Sequence, residues 1–246
     1  MTQQTTEIEK LFEGGATISK EELADYLKSK DIHANDESIR KRISRYKKAG
    51  LIISIKKGVY ALSKKPVYVH PSDKLIKKLS GLFFSRYPDI DYCVWSSAWL
   101  YDFTVHQPVQ FFYVFETEPD MVEILFNLLK DNGYHVFLNP DERTMQLYVM
   151  GMNNPVVIKP LVSRAPLVRD KALRLPSIEK MLVDAYIDKA LFYFIQGNEM
   201  QNIFKLSFSK YSINISTLLN YATRRGYGNE IKDFLKNSSS NLNKIL

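Results

Sequence analysis

The stretch NDESIRKRISRYKKAGLIISIKKGVY, residues 35–60, decides the fold of the first part of this chain. Apolar side chains recur in it at steps of three and four residues, which places them on one face of a helix: Ile39, Ile43 and Tyr46. Asn35 or Asp36 can accept the free N–H groups of the first helical turn, and Gly50 can end the helix in the left-handed conformation. The stretch therefore predicts a helix over residues 36–49 with a single apolar face.

The other side of this helix is cationic. A rotation of roughly 100° per residue places the remaining side chains on the outer face or its flanks, among them Ser38, Arg40, Lys41, Arg42, Ser44, Arg45 and Lys48. Two short runs rich in Ile, Val and Tyr follow at residues 51–55 and 58–62, and Lys56 and Lys57 lie between them. This pattern predicts a β-hairpin with a basic tip. A cationic helix followed by such a hairpin is typical of a winged helix-turn-helix.

Positive charge is concentrated in this region. Residues 36–65 contain ten Lys and Arg against two acids, a net charge of +8, while the whole chain carries +7. A field of one sign on one surface attracts an anionic partner, and double-stranded DNA is the usual partner of a helix and hairpin of this kind. The residues predicted to contact DNA are Ser38, Arg40, Lys41, Arg42, Ser44, Arg45, Lys48, Lys56 and Lys57.

The order of elements over residues 1–65 supports the same interpretation. A helix over residues 5–14 precedes a short strand, and Ser19 with Glu22 begins a second helix as a capping box. A polar turn, the basic helix and the hairpin follow, which is the order of a winged helix-turn-helix. Pro66, directly after a lysine pair, marks the expected domain boundary.

The rest of the chain predicts a second domain, residues 66–236, and a disordered tail, residues 237–246, of low sequence complexity. Strands are expected over residues 67–69, 92–95, 109–115, 134–138, 144–150 and 155–159. Helices are expected over most of the sequence from Pro176 onward. The predicted fold class is therefore α+β, with an N-terminal winged helix-turn-helix followed by a mixed α/β domain that ends in a helical bundle.

Composition and spacing disfavour several classes of function. No apolar run is long enough to cross a bilayer and the N-terminus is polar, which predicts a cytoplasmic protein with no membrane contact. The single cysteine, Cys93, lies in an apolar run and is expected to be a buried core residue. The four histidines are scattered and no glycine-rich phosphate loop is present, so neither a metal site nor a cofactor is predicted.

One carboxylate pair supports an alternative. Glu116 and Glu118 follow an apolar run and are spaced to project to the same side of a strand end, as the metal-binding acids of nucleotidyltransferases do. An enzyme of that fold would use them with a divalent metal. However, Ser96 and Ser97 have no glycine beside them to form its phosphate loop, and no third acid is identifiable. A protein without catalytic activity is therefore the preferred interpretation.

Three motifs in chain order resemble one known family. Residues 55–62 read IKKGVYAL, residues 95–101 read WSSAWLY, and residues 178–184 read IEKMLVD. Together they resemble the abortive-infection antitoxin AbiEi family, which comprises bacterial type IV antitoxins and transcriptional regulators. The third motif is similar to the family's Glu-Arg-Thr-Leu-Leu-Asp, with Lys180 in place of the usual arginine.

The resemblance implies an autorepressor that binds inverted repeats in its own promoter through the winged helix, as a monomer or a weak dimer on DNA. It also implies that the C-terminal domain counteracts a nucleotidyltransferase-like toxin, with or without a stable complex, in a toxin-antitoxin system of phage defence. The sequence thus predicts a non-enzymatic DNA-binding regulator and antitoxin. A protein-interaction module with a basic helix as a nucleic-acid tether is a third interpretation.

Overall fold

A computed structural model describes most of the chain: residues 11–12, 17–31, 34–48, 50–56, 58–63, 65–106, 108–170 and 172–238, without the side chains of Lys48, Ile55, Lys56 and Ser238. It divides into two compact units. The first unit contains the described residues up to Tyr68 together with Phe208–Asn214, and the second contains Val69–Ser207 and Ile215–Ser238. The predicted helix over residues 5–14 lies outside the described residues except for Leu11 and Phe12.

The first unit combines a small antiparallel sheet with two helices. Its three strands are arranged in the order β1-β3-β2, and the β2–β3 register is interrupted between Ser54 and Lys56. The described elements are β1 (Thr17–Ser19), α1 (Lys20–Lys30), α2 (Asp36–Lys48), β2 (Ile52–Lys56) and β3 (Val59–Leu62). The basic helix and the hairpin predicted from residues 35–60 are therefore both observed.

One apolar core joins these elements. Its buried members come from both helices and all three strands: Ile18, Leu23, Leu27, Ile39, Ile43, Ile52 and Tyr60. The predicted capping box at the start of α1 is confirmed, since the Glu22 N–H donates to the Ser19 hydroxyl at 3.1 Å and the Ser19 N–H donates to the Glu22 carboxylate at 2.7 Å. The core fixes which side of α2 faces inward.

The second unit is built on a four-stranded mixed sheet in the order β4-β5-β7-β6. The strands are β4 (Tyr92–Ser96), β5 (Tyr113–Thr117), β6 (Val136–Leu138) and β7 (Val156–Pro160). Strand β5 pairs antiparallel with β4 and parallel with β7, and all five of its residues are buried. Helix α3 (Lys74–Phe84) precedes β4 in the chain, and α4 (Val122–Asp131) lies between β5 and β6.

The C-terminal part of the chain is helical. A two-stranded hairpin, β8 (Leu167–Asp170) with β9 (Leu173–Pro176), leads into α5 (Ile178–Ile187), and further helices follow as α6 (Asn198–Lys210), α7 (Ile215–Arg224) and α8 (Gly228–Ser238). The described residues therefore form a mixed α and β structure with a helical C-terminal region, in agreement with the predicted α+β class. None of the helices in the described part of the chain is long and apolar enough to cross a membrane.

Three predicted strands are wrong, and two of them are apolar runs of the second unit. The run over residues 109–115 is not one strand: Val109 is 96% exposed, and β5 begins only at Tyr113 and continues through two buried polar residues. Residues 144–150 are helical instead of extended. Asp141 caps this segment by accepting the Thr144 N–H, and a π-helical turn over Met145–Val149 follows.

Smaller differences lie at the edges of elements. No strand forms at residues 67–69, and the hairpin of β8 with β9 was not predicted because its strands are short and carry charged residues. The start of the predicted tail is helical, since α8 extends through Ser238. Residues 239–246, the rest of that tail, lie outside the described residues.

Candidate functional site

The core of the first unit turns the cationic side of α2 outward. Ile39 and Ile43 are buried, whereas four of the residues predicted to contact DNA are exposed: Arg40, Lys41, Ser44 and Arg45. These four side chains lie together on consecutive turns of one helix. A surface of this kind can contact phosphates and base edges in a groove about as wide as a helix.

Two of the residues predicted to contact DNA also make contacts inside the unit. The Ser38 hydroxyl donates to the Asn35 carbonyl at 2.8 Å, and the Ser38 N–H donates to the Asn35 side chain at 2.8 Å, so both groups stabilise the helix start. Arg42 is half-buried and lies 3.6 Å from the Asp31 carboxylate. The side chains of Lys48 and Lys56, and all of Lys57, lie outside the described residues.

The exposed cations differ in how far they are neutralised. Lys41 pairs with Glu37 one turn earlier at 2.7 Å, and both side chains are largely exposed. Arg40 and Arg45 have no ion pair among the described residues. Exposed pairs of this type contribute little and are screened by salt, so the unneutralised positive charge of the described face lies chiefly on the two arginines.

The end of α2 is closed by the glycine that the sequence indicated. Gly50 has φ +62°, its N–H donates to the Lys47 carbonyl at 3.1 Å, and the Leu51 N–H donates to the Tyr46 carbonyl at 2.9 Å. These two bonds form a Schellman motif, which satisfies carbonyls that the helix end would otherwise leave free. The direction in which the chain leaves the basic helix is therefore set at Gly50.

The second unit holds a buried charge cluster, which consists of Glu116, Lys159, Lys180, Asp184, Asp188 and Arg225. The Lys180 ammonium is fully buried and lies 2.5 Å from both the Glu116 and the Asp184 carboxylates. The three cations and three anions balance when all are ionised. A buried charge of this kind is tolerated only when it is paired and hydrogen-bonded.

Asp184 is the centre of the cluster. Its second oxygen accepts from Arg225 at 2.5 Å and from the Tyr221 hydroxyl at 2.8 Å. Arg225 also bonds Asp188 at 2.8 Å, and Lys159 bonds the other oxygen of Asp188 at 2.6 Å. The cluster thereby connects strands β5 and β7 to helix α5 and to the end of α7.

The charge state of the cluster follows from these contacts. Burial lowers the pKa of Lys180, but Asp184 and Glu116 more than offset this and hold it well above its ordinary value. Burial raises the pKa of Glu116 in spite of Lys180. With two carboxylates against one ammonium, Lys180 stays charged, and the raised pKa of Glu116 is due to its burial.

The carboxylates of the alternative enzyme hypothesis are not brought together. Glu116 is buried against Lys180, while Glu118 accepts the N–H of Asp91 at 3.0 Å. Among the described residues, no group of three or more His, Cys, Asp or Glu is arranged to hold a metal ion. Cys93 is buried, as predicted, and burial raises the pKa of its thiol well above the ordinary value.

The sequence contained one signal for the charge cluster. Lys180 and Asp184 are four residues apart in α5, where every residue from Ile178 to Ala185 is buried. A helix that is buried on all sides cannot expose either charge, so a Lys and an Asp at this spacing indicate an internal pair. The partner Glu116 carries no such signal, because only the fold brings β5 to this helix.

The contribution of Asp188 to stability should depend on pH in the acid range. Burial raises the pKa of Asp188, but Lys159 and Arg225 outweigh it and hold the pKa below the ordinary value of about 4. The stabilisation by ionised Asp188 is therefore complete when the pH is above the ordinary pKa. It is lost as the pH falls through the lowered pKa of the folded state. We expect Asp188→Asn to be less stable than wild type at neutral pH, with a difference that narrows below about pH 4, measured by urea unfolding. A difference that stays constant with pH would contradict this.

A suitable control for that titration is Asp233→Asn. Asp233 pairs with Lys236 at 3.0 Å on the exposed side of α8, where its side chain is 68% exposed. Such a surface pair contributes about 0–1 kcal/mol. Its loss should therefore change the free energy of unfolding little at any pH tested.

Comparison with known proteins identifies a family but not an activity. The profile of a family described as "Family of unknown function (DUF6577)" matches residues 38–241. The chain belongs to this family, since the match covers well over half of it. No curated protein matches the chain. Among solved structures, the crystal structure of RV2827C protein from Mycobacterium tuberculosis is 13% identical over 90% of this chain and 80% of that chain, with a TM-score of 0.21, too low to support any argument.

Proposed function

We propose that this DUF6577 protein is a sequence-specific DNA-binding transcriptional regulator whose first unit acts as a winged helix-turn-helix. The observation that carries the proposal is the outer face of α2, where Arg40, Lys41, Ser44 and Arg45 are exposed on a helix whose other side is fixed by the core. The partner is double-stranded DNA. No cofactor and no catalytic step are part of the proposal.

In the proposed mode of binding, α2 lies in the major groove and the hairpin of β2 and β3 lies beside it. Arg40 and Arg45 have no ion pair among the described residues, so no ion pair of the described part of the unit must break before they reach bases or phosphates. Lys41 must first break its ion pair with Glu37. We therefore assign it to a phosphate contact and not to a base contact. Lys56 and Lys57 at the hairpin tip, by their position in the sequence, contact phosphate or the adjacent minor groove.

The test is DNA binding by single alanine variants of the two arginines. Arg40→Ala and Arg45→Ala should each weaken binding to the gene's own upstream DNA by about 1–3 kcal/mol if the residue contacts a base, measured by fluorescence anisotropy at fixed salt. Lys41→Ala should weaken DNA binding less, because the Glu37 carboxylate already neutralises part of the Lys41 charge. Equal affinity in wild type and the Arg40→Ala, Arg45→Ala double variant would refute the docking model.

A matched control separates the helix face from total charge. Lys232→Ala also removes one positive charge, at an exposed position on α8 in the second unit. If the two arginines act by contact, Lys232→Ala should weaken binding less than either arginine variant, because it removes the same charge but no side chain of the proposed binding face. A loss equal to that of Arg45→Ala would mean that only net charge matters.

The remainder of the proposal rests on the family resemblance of the sequence motifs. It makes the protein an autorepressor at inverted repeats of its own promoter, a monomer or weak dimer on DNA, and an antitoxin that counteracts a nucleotidyltransferase-like toxin in phage defence. Because the DNA partner of such a bacterial regulator is cytoplasmic, the proposal includes a cytoplasmic location. A neighbouring reading frame for a nucleotidyltransferase-like protein would support this part.

A further inference from the structure

A short segment from late in the chain belongs to the N-terminal unit. Residues Phe208–Asn214, here called the return segment, group with the residues up to Tyr68, although the chain before and after them belongs to the second unit. The chain therefore leaves the first unit after Tyr68, re-enters it at Phe208 and leaves it again after Asn214. The first unit is composite, and its sequence is not contiguous.

The return segment is bonded to the linker that follows the hairpin. The Ser212 N–H donates to the Pro66 carbonyl at 2.9 Å, and the rings of Tyr211 and Tyr68 meet edge to face with centroids 5.2 Å apart. The Lys65 ammonium donates to the Phe208 carbonyl. Two hydrogen bonds and one aromatic pair therefore join the return segment to the residues after the hairpin, although Lys65 and Phe208 are 143 positions apart in the chain.

These contacts lie directly against the end of the basic helix. A Cβ atom built on Gly50 would lie 2.3 Å from the Val67 side chain and 3.6 Å from the Ser212 Cβ. The turn that closes α2 therefore rests on one residue of the linker and one residue of the return segment. None of the return-segment residues belongs to the apolar cluster that packs the described part of the first unit, so this contact acts on the helix end and not on the core.

We propose that the return segment is a positioning element for DNA recognition, which fixes the C-terminal end of α2 through Val67 and Ser212. The inference rests on the proposed DNA-binding function, which it deepens. Base contacts read the sequence only when the recognition helix is held in one orientation in the groove. The return segment contains the last residues of α6 and precedes α7 in the chain.

The test compares Tyr211→Ala with Tyr211→Phe in the full chain. The phenylalanine variant keeps the ring that meets Tyr68, whereas the alanine variant removes it. Loss of an edge-to-face aromatic pair should raise the equilibrium constant for local opening by about 2- to 10-fold. We expect Tyr211→Ala to speed amide hydrogen exchange at Leu51 and Ser63, whose N–H groups bond the Tyr46 and Leu51 carbonyls, by that factor. Tyr211→Phe, which keeps the ring, should have a smaller effect.

DNA binding provides the second measurement. Tyr211→Ala should lose about 2- to 10-fold in affinity for the gene's upstream DNA and much less for a scrambled duplex of the same length, so that the specificity ratio falls. Gln201→Ala, at an exposed position of α6, is the control that should change neither exchange nor binding. If Tyr211→Ala does not fold, Val67→Ala removes the Val67 side chain that lies against Gly50 and should give the same pattern.

The outcomes separate the two proposals. Exchange at Leu51 and Ser63 that is unchanged in folded Tyr211→Ala or Val67→Ala overturns the positioning role, whatever the protein binds. Faster exchange with an unchanged specificity ratio, in a protein that binds DNA, overturns it too. If wild type binds no duplex at all, the proposed DNA-binding function fails, and the exchange measurement alone then decides whether the return segment holds the helix end.

Discussion

Replacing Lys180 with methionine is expected to lower the free energy of unfolding by about 3–5 kcal/mol, the usual cost of removing one partner from a buried ion pair. Methionine fills nearly the same volume, so the loss is electrostatic. Lys180 is fully buried and its ammonium lies 2.5 Å from both Glu116 and Asp184. Without it, Glu116 is left as a buried carboxylate with no cation at hydrogen-bonding distance.

The same variant should make the contribution of Glu116 to stability depend more strongly on pH. Burial already raises the pKa of Glu116, and removing Lys180 raises it further, because a nearby cation lowers a carboxylate pKa. A group whose pKa is raised by folding stabilises the folded state when it is protonated. The deficit of Lys180→Met relative to wild type should therefore shrink as the pH is lowered. Urea unfolding at several pH values, followed by circular dichroism, measures it.

Two further variants test whether the loss of charge balance causes the lower stability of Lys180→Met. Lys180→Met combined with Glu116→Gln removes one cation and one anion, and should recover part of the lost stability. Lys236→Ala breaks a solvent-exposed pair with Asp233 and should cost less than about 1 kcal/mol. A loss of under about 1 kcal/mol in Lys180→Met itself would contradict a buried pair with this geometry.

The charge cluster also explains where prediction from sequence succeeded and failed. The elements of the first unit follow from local signals: the Ser19 capping box, the apolar spacing of α2 and the glycine at its end all act within a few residues. Strand β5 does not follow from such signals. Its buried end contains Glu116, whose burial is possible only because Lys180, 64 residues later, neutralises it.

The segment over residues 144–150 shows the opposite case, where two local patterns compete. Its residues alternate well enough to predict a strand, yet Met145 and Val149 are also one helical turn apart, and these two are buried. The Asp141 cap favours the helical alternative. Periodicity over seven residues cannot separate the two periods, and a capping residue outside the run decides the outcome.

The return segment lay beyond sequence reasoning for a different reason. Nothing in residues 208–214 differs from an ordinary connection between two helices. Its contacts with Lys65, Pro66 and Tyr68 depend on chain topology, which neither propensity nor charge reports. The position of Gly50 was predictable as a helix end, but the closeness of Val67 to it was not.

Gly50→Ala is therefore expected to have an effect larger than its backbone cost alone. A residue other than glycine at φ +62° costs about 1 kcal/mol, and overpacking of a close contact adds about 1–3 kcal/mol. The added methyl group would lie 2.3 Å from the Val67 side chain, so that side chain or the helix end must move. We expect a total loss of about 2–4 kcal/mol in the free energy of unfolding.

A matched glycine and a double variant divide this loss into its two parts. Gly133 ends α4 with φ +79° and nothing lies within 4 Å of its Cβ position, so Gly133→Ala should show the backbone cost alone, about 1 kcal/mol. Gly50→Ala combined with Val67→Ala relieves the close contact. That pair should therefore cost less than the two single changes together, because neighbouring residues are not additive. If Gly50→Ala lowers the free energy of unfolding no more than Gly133→Ala does, the Val67 side chain moves aside without cost. The end of α2 is then not held at this point.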